Sequence, residues 1–209
     1  MQSSAIILAG GTSARLGEDK SLVAIANKPL LKHVLQVVNS LVEEKIVVVH
    51  TDAQAERLRA VLDPDVRVVI DEFDQQTPIV GAASGFKEAK TEYTLLLACD
   101  MPLLSREVLA FLLDICIDRN AVIPRWPNGF IEPLHAVYKV KPAFEAAQQA
   151  IKEGLPTLRG MIERIRRVRY VSTMVLQQMD PELNSLFNIN TTLDLKRAEL
   201  IMKKRQINP

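Results

Sequence analysis

The sequence predicts an α/β fold: a doubly wound, mostly parallel sheet with a mixed edge and helices on both faces. Two observations lead there. Short apolar, β-branched runs alternate with helical patterns along the first half of the chain. Those runs are apolar throughout rather than every second residue, as strands covered on both faces require. No internal repeat, low-complexity stretch or linker divides the 209 residues, so 1–209 is read as one domain.

In chain order, Ala5–Leu8 reads as a first strand. A loop and an extended segment lead to a helix from about Pro29 to Val42, where an early proline loses no helical hydrogen bond. Ile46–His50 follows as a strand, then a helix over Gln54–Leu62 with Asp52 as the expected N-cap. Val66–Ile70 is the third strand, Ile79–Ala89 a helix and Tyr93–Cys99 the fourth strand. Ser105–Arg119 reads as a helix capped by Ser105. The second half is less regular: strands at Ala121–Pro124, Pro133–Lys139 and Arg167–Val171, helices near Ala143–Lys152 and Thr157–Arg164. A last helix, Leu193–Lys204, carries basic residues in its final turn, which suits the negative end of its dipole.

Composition narrows the function. With 48% apolar and 24% charged residues the chain reads as an ordinary soluble protein. A net charge of +1 gives no clustered basic excess, so nucleic acid is not the expected partner. Cys99 and Cys116 form neither a disulfide framework nor a metal-ligand spacing, which fits a reducing cytoplasmic compartment. No apolar run approaches the ~20 residues of a membrane span, and Ala5–Ala9 is too short for a signal peptide core, so no membrane partner is expected.

Ligands of open α/β sheets bind beyond the carboxyl ends of the strands, and three post-strand segments carry polar chemistry. The first runs from Leu8 and Ala9 through Gly10, Gly11, Ser13 and Arg15 to Lys20. Two adjacent glycines let the backbone approach a ligand, and successive N–H groups there make an anion-binding concavity. With a hydroxyl and two cations nearby, the loop suits a triphosphate. It is neither the P-loop, whose spacing to Lys20 is wrong, nor GxGxxG. In the second segment, Cys99-Asp100-Met101-Pro102, a carboxylate held at a strand end by a proline turn is placed for a hard divalent cation such as Mg²⁺. The third holds Asp71 and then Thr77-Pro78-Ile79-Val80-Gly81 at a helix start.

The first loop resembles L-A-G-G-x-S-x-R-M-G-x-D-K, the signature of nucleotidyltransferases with a glycosyltransferase-A-like fold, the nucleotide-diphospho-sugar transferase type. It is most similar to the molybdenum cofactor guanylyltransferases, the MobA family, with Leu16 for the usual methionine. Cys99–Pro102 is similar to the family's C-D-x-P, which implies Mg²⁺ on Asp100. The third segment is similar to G-P-L-x-G, with Thr77 and Ile79 as departures, and implies nucleoside contacts from Asp71, Pro78 and Gly81. Glu132–Tyr138 resembles E-P-L-x-A-L-Y, and Phe187–Leu195 resembles F-x-N-I-N-T-P-x-D-L, with Thr192 for the proline. Asn188 and Asn190 alternate on an extended segment and so point the same way; by resemblance they lie on the pterin, or acceptor, side. Thr191 and Asp194 match a helix-capping box.

The resemblance implies an enzyme that moves GMP from GTP to molybdenum-bearing molybdopterin and releases pyrophosphate. Gly10-Gly11 favours guanine, because the related cytidylyltransferases more often carry Ala-Gly. Arg15, Lys20 and Asp100 would be catalytic. Leu8, Ala9, Gly10, Gly11, Ser13, Lys20, Asp71, Pro78, Gly81 and Asp100 would bind the nucleotide. Cofactor-delivery proteins and acceptor molybdoenzymes are implied as partners. Three alternatives stand beside this reading: cytidylyl transfer to the same pterin, guanylyl transfer to another phosphate, and a nucleotide-binding adaptor without chemistry. Among the remaining candidates, His33, His50 and His135 read as structural. The Arg164–Arg169 run reads as a solvated helix end before an edge strand, and Trp126 as a candidate stacking platform.

Overall fold

The computed structural model describes residues 2–11, 20–71 and 77–207. Strand β1 (Ser3–Leu8) is almost wholly buried, its two leading serines included, as a central strand covered on both faces requires. A hairpin of β2 (Ala24–Ile25) and β3 (Lys28–Pro29) follows, then α1 (Leu30–Val38), β4 (Glu44–Val49), α2 (Asp52–Arg59) and β5 (Val66–Ile70). Next come α3 (Pro78–Glu88), β6 (Tyr93–Ala98), α4 (Arg106–Asp114), β7 (Ala121–Arg125) and β8 (His135–Lys139). The chain continues with α5 (Val140–Lys152), α6 (Leu158–Arg164), β9 (Val168–Ser172), α7 (Thr173–Leu176), a 3₁₀ turn at Asn184–Leu186 and α8 (Thr192–Ile207).

Seven strands form one sheet in the order β5-β4-β1-β6-β8-β7-β9. The pairings among β5, β4, β1 and β6 are parallel, whereas β8 runs antiparallel to both β6 and β7. This is the expected doubly wound sheet with a mixed edge. The chain winds outward from β1 through β4 to β5, then returns to pair β6 on the other side of β1. That reversal opens a crevice beyond the carboxyl ends of β1 and β6, where such folds bind ligands.

Both faces are covered. On one, Val34 and Val38 of α1, Leu58 of α2 and Leu109 of α4 pack with Ile7, Val47 and Leu97. On the other, α3, α5 and α6 supply Ile79, Phe86, Ala147 and Met161 against Ile6, Ile46 and Leu96. A third, smaller cluster joins Val23, Ile25 and Leu30 of the hairpin region to Leu103, Ile189 and Ala198 of the C-terminal segment. It clamps the start and end of the chain beside the crevice.

Several element ends differ from the sequence reading. Helix α1 stops at Val38 rather than Val42, because the chain must turn to deliver Glu43 to Ser3 at the head of β4. Thr51, not Asp52, caps α2: its side chain accepts from Gln54 N–H, and Asp52 sits in the first turn instead. Helix α4 is capped by Ser105 as expected but ends at Asp114, ahead of Asp118 in the left-handed conformation (φ 60°). Strand β8 starts at His135, two residues later than expected, since Pro133 has no N–H to offer the ladder. The β2–β3 hairpin and α7 were not anticipated; both are too short to show periodicity.

Candidate active site

Gly10 and Gly11 follow β1, His50 follows β4, Asp71 follows β5, and Cys99 and Asp100 follow β6. These parallel strands therefore deliver the residues that follow them to the same end of the sheet. Together with Leu8, Lys20, Thr77, Pro78 and Gly81 they line a cavity of about 260 Å³. The Asp100 corner is tied down on two sides. Cys99 N–H donates to Leu8 O (3.0 Å), and Ile189 N–H donates to Asp100 O (2.9 Å). Met101, Leu103 and Leu104 are buried behind it.

Lys20 reaches this corner because its neighbours are anchored. Ser21 is fully buried, and Leu30 and Leu31 donate backbone hydrogen bonds to Val23 O and Ser21 O. From there Lys20 Nζ donates to Asp100 Oδ2 (2.8 Å) and to Asn190 Oδ1 (2.7 Å). Asp100 Oδ1 is buried and has no hydrogen-bond partner among the described residues. A buried carboxylate oxygen without a donor is costly unless something positive fills the place. The donor set is therefore suited to a hard divalent cation that takes one protein carboxylate and completes its shell with phosphate and water.

The two glycines differ in kind. A Cβ on Gly10 would lie 2.4 Å from Cδ2 of His50, so Gly10 is needed for the imidazole to pack on the loop. A Cβ on Gly11 would meet nothing within 4 Å among the described residues, so no contact with them requires glycine there; the approach of a ligand would. Across the cavity the His50 imidazole donates through Nδ1 to Asp71 Oδ2. Burial pushes the Asp71 carboxyl above the usual carboxylate range, with the His50 charge and hydrogen bond opposing. Thr77, the N-cap residue just ahead of α3, turns a buried hydroxyl without a partner among the described residues, and Pro78 and Gly81 line the wall beside it.

This end of the sheet thus joins the three post-strand segments. The chain matches the MobA-like NTP transferase domain over residues 5–168. It belongs to that family. It is 34% identical to a protein of Methanosarcina mazei named as a probable molybdenum cofactor guanylyltransferase, with 92% of this chain and 88% of that one covered. A molybdenum cofactor guanylyltransferase of Desulfosudis oleivorans is 31% identical, with 97% of each covered. Among solved structures, molybdopterin-guanine dinucleotide biosynthesis protein A from Archaeoglobus fulgidus superposes with a TM-score of 0.82 at 30% identity, covering 96% of this chain and 99% of that one.

Within this MobA-like frame, Leu8, Gly10, Gly11, Lys20, Asp71, Pro78, Gly81 and Asp100 all line the one cavity. Ala9 sits just behind it, fully buried, with its N–H donated to Val48 O (2.8 Å). Ser13 and Arg15 lie outside the described residues. Asn190 joins the site through Lys20, while Asn188 is exposed and forms no hydrogen bond among the described residues. Thr191 and Asp194 exchange the reciprocal bonds of a capping box, so helix capping accounts for them.

His33 and His135 are structural as expected. The His33 ring bonds Ile25 O, and His135 is fully buried in β8. His50 is different, since it lines the cavity; its position directly after the second parallel strand was the signal for it. Trp126 packs against the core and donates Nε1–H to Glu132 (2.6 Å), away from the cavity lining. The basic run is a helix end leading into the edge strand β9: Arg164 bonds Gly160 O and Glu153, and Arg169 bonds Ile115 O. No helix is long and apolar enough to cross a membrane among the described residues.

Proposed function

We propose that this protein transfers GMP from GTP to molybdenum-bearing molybdopterin, forming the guanine dinucleotide cofactor and releasing pyrophosphate, with one domain holding donor and acceptor. The observation that carries this is the convergence of Gly10-Gly11, Lys20, Asp71 and Asp100 on one cavity at the sheet's reversal point. The names of its MobA-like relatives support guanine and molybdopterin as the substrates.

An oxygen of the acceptor's terminal phosphate attacks the α-phosphorus, and the bond from that phosphorus to the β-phosphate oxygen breaks. Nucleophile and leaving group are already anionic, so the reaction needs no side-chain nucleophile and no strong base. The barrier is mostly charge repulsion and misalignment, which positioning and charge neutralisation remove. Lys20, held between Asp100 and Asn190, places its ammonium where the triphosphate lies and stabilises the departing pyrophosphate, together with Arg15. The Gly10 and Gly11 backbone approaches the nucleotide closely, and Asp71, Pro78 and Gly81 face its nucleoside end. Asp100 would hold Mg²⁺, which supplies Lewis-acid polarisation of the phosphate oxygens. Asn188 and Asn190 face the acceptor.

Calorimetric titration with GTP and with CTP, each with Mg²⁺, tests the donor. GTP is expected to bind at least tenfold more tightly. Equal affinity, or preference for CTP, removes guanine from the reading.

A further inference from the structure

We infer that His50 is a positioning residue for the nucleotide: it holds the Asp71 carboxylate in place and its ring shapes the seat of the Gly10-Gly11 loop. The inference rests on the cavity being the nucleotide site.

Four observations converge on it. The backbone of His50 is fixed, its N–H donating to Oε1 of the buried Gln54 (3.0 Å). Its Nδ1 bonds Asp71 Oδ2, and Asp71 is held in turn by its own N–H donated to Val49 O (2.9 Å). The imidazole lies so close over Gly10 that no side chain fits between them. Finally, His50 and Asp71 line the same cavity as Lys20 and Asp100.

The pair has a physical purpose. The Asp71 side chain is only 3% exposed, and burial favours its protonated form. A carboxylate expected to accept hydrogen bonds from the N–H or O–H groups of a nucleoside must stay ionised and must not rotate. The Nδ1–H of His50 favours the ionised form and fixes one oxygen. The same ring packs on Gly10 and lines the cavity, so it meets the glycine on one side and the ligand space on the other.

Three substitutions separate the hydrogen bond from the bulk of the ring. Asparagine carries its amide nitrogen at the same distance along the side chain as Nδ1, whereas glutamine carries it at the place of Nε2. The proposal expects His50→Ala to weaken nucleotide affinity by about tenfold, the scale of a lost hydrogen bond to a charged group. His50→Asn should recover affinity to within about threefold of wild type, and His50→Gln should resemble the alanine variant. Each is measured by calorimetry with GTP and Mg²⁺, with melting temperatures recorded alongside. Wild-type affinity in His50→Ala, or His50→Gln binding as well as His50→Asn, overturns the proposal. If His50→Ala does not fold, the Asn–Gln comparison alone decides. If the wild-type protein binds CTP instead of GTP, the donor assignment fails. The same comparison run with CTP then decides the role of His50 separately.

Discussion

Lys20 and Asp100, 80 residues apart in sequence, meet at 2.8 Å across the crevice between β1 and β6, and Asn190 takes a second bond from the same ammonium. A cation from one loop and a carboxylate from another strand end thus hold each other before any substrate arrives. Asp100→Ala removes the buried oxygen that has no donor among the described residues, and with it the seat for a divalent cation. Turnover should fall by at least ~100-fold, the scale of a lost electrostatic contact in a transition state. The circular dichroism spectrum should be unchanged. A near-wild-type rate in the presence of Mg²⁺ would remove Asp100 from the chemistry.

The adjacent glycines should respond oppositely to the same substitution. Gly10→Ala drives a methyl into the His50 ring, 2.4 Å from Cδ2, and overpacking of this kind costs about 1–3 kcal/mol. Gly11→Ala meets no atom of the described residues within 4 Å, so its melting temperature should match wild type while nucleotide affinity drops. Thermal melts and GTP titrations on both variants check the contrast. Equal stability of the two would show that the His50–Gly10 approach is not restrictive.

His135 ties stability to pH. Burial pulls its pKa from 6.5 down to about 4, and neither ring nitrogen has a partner among the described residues. Between those two values the unfolded chain takes up a proton that the folded chain refuses. The stability that goes with a neutral His135 is therefore complete above pH 6.5 and declines as pH falls towards 4. At 1.36 kcal/mol per pH unit the loss from pH 6.5 to 5 is about 2 kcal/mol. His135→Leu, of similar volume, should lose about that much less over the same interval. Denaturant titrations at the two pH values measure it, and parallel losses in both proteins would contradict the assignment.

The hairpin that presents Lys20 carries local strain. Its turn places Ala26 at φ 49° and Asn27 at φ 61°, a two-residue geometry that favours glycine and asparagine. A left-handed alanine costs roughly 1–2 kcal/mol. Ala26→Gly should raise stability by up to about 1 kcal/mol, a gain of a few degrees in melting temperature for a chain of this size. A lower melting temperature would contradict this.

Much of the molecule was legible in the sequence, and for physical reasons. The parallel strands are buried on both faces, so runs such as Ile46–Val49 and Leu95–Leu97 are apolar at every position and stand out. The rule that ligands lie beyond strand ends then picked Gly10, Asp71 and Asp100 without knowledge of how the strands pair. Applied evenly it would have found His50 too, whose contact with Asp71 depends on β4 and β5 lying side by side. The β2–β3 hairpin was illegible because two-residue strands leave no period, and Thr51 because it competes with an adjacent Asp52 for the cap. The bond from Lys20 to Asn190 spans 170 residues, and the clustering of Val23, Ile25, Ile189 and Ala198, with the bond from Ile189 N–H to Asp100 O, brings its ends together.

Guanylyl transfer onto a pterin phosphate at the Lys20–Asp100 corner is read out by pyrophosphate release. Pyrophosphate should appear when GTP, Mg²⁺ and molybdenum-bearing molybdopterin are all present, should depend on the pterin, and should be nearly abolished by Asp100→Ala. Release with CTP in place of GTP, or no release with either nucleotide, would rule out guanylyl transfer by this protein.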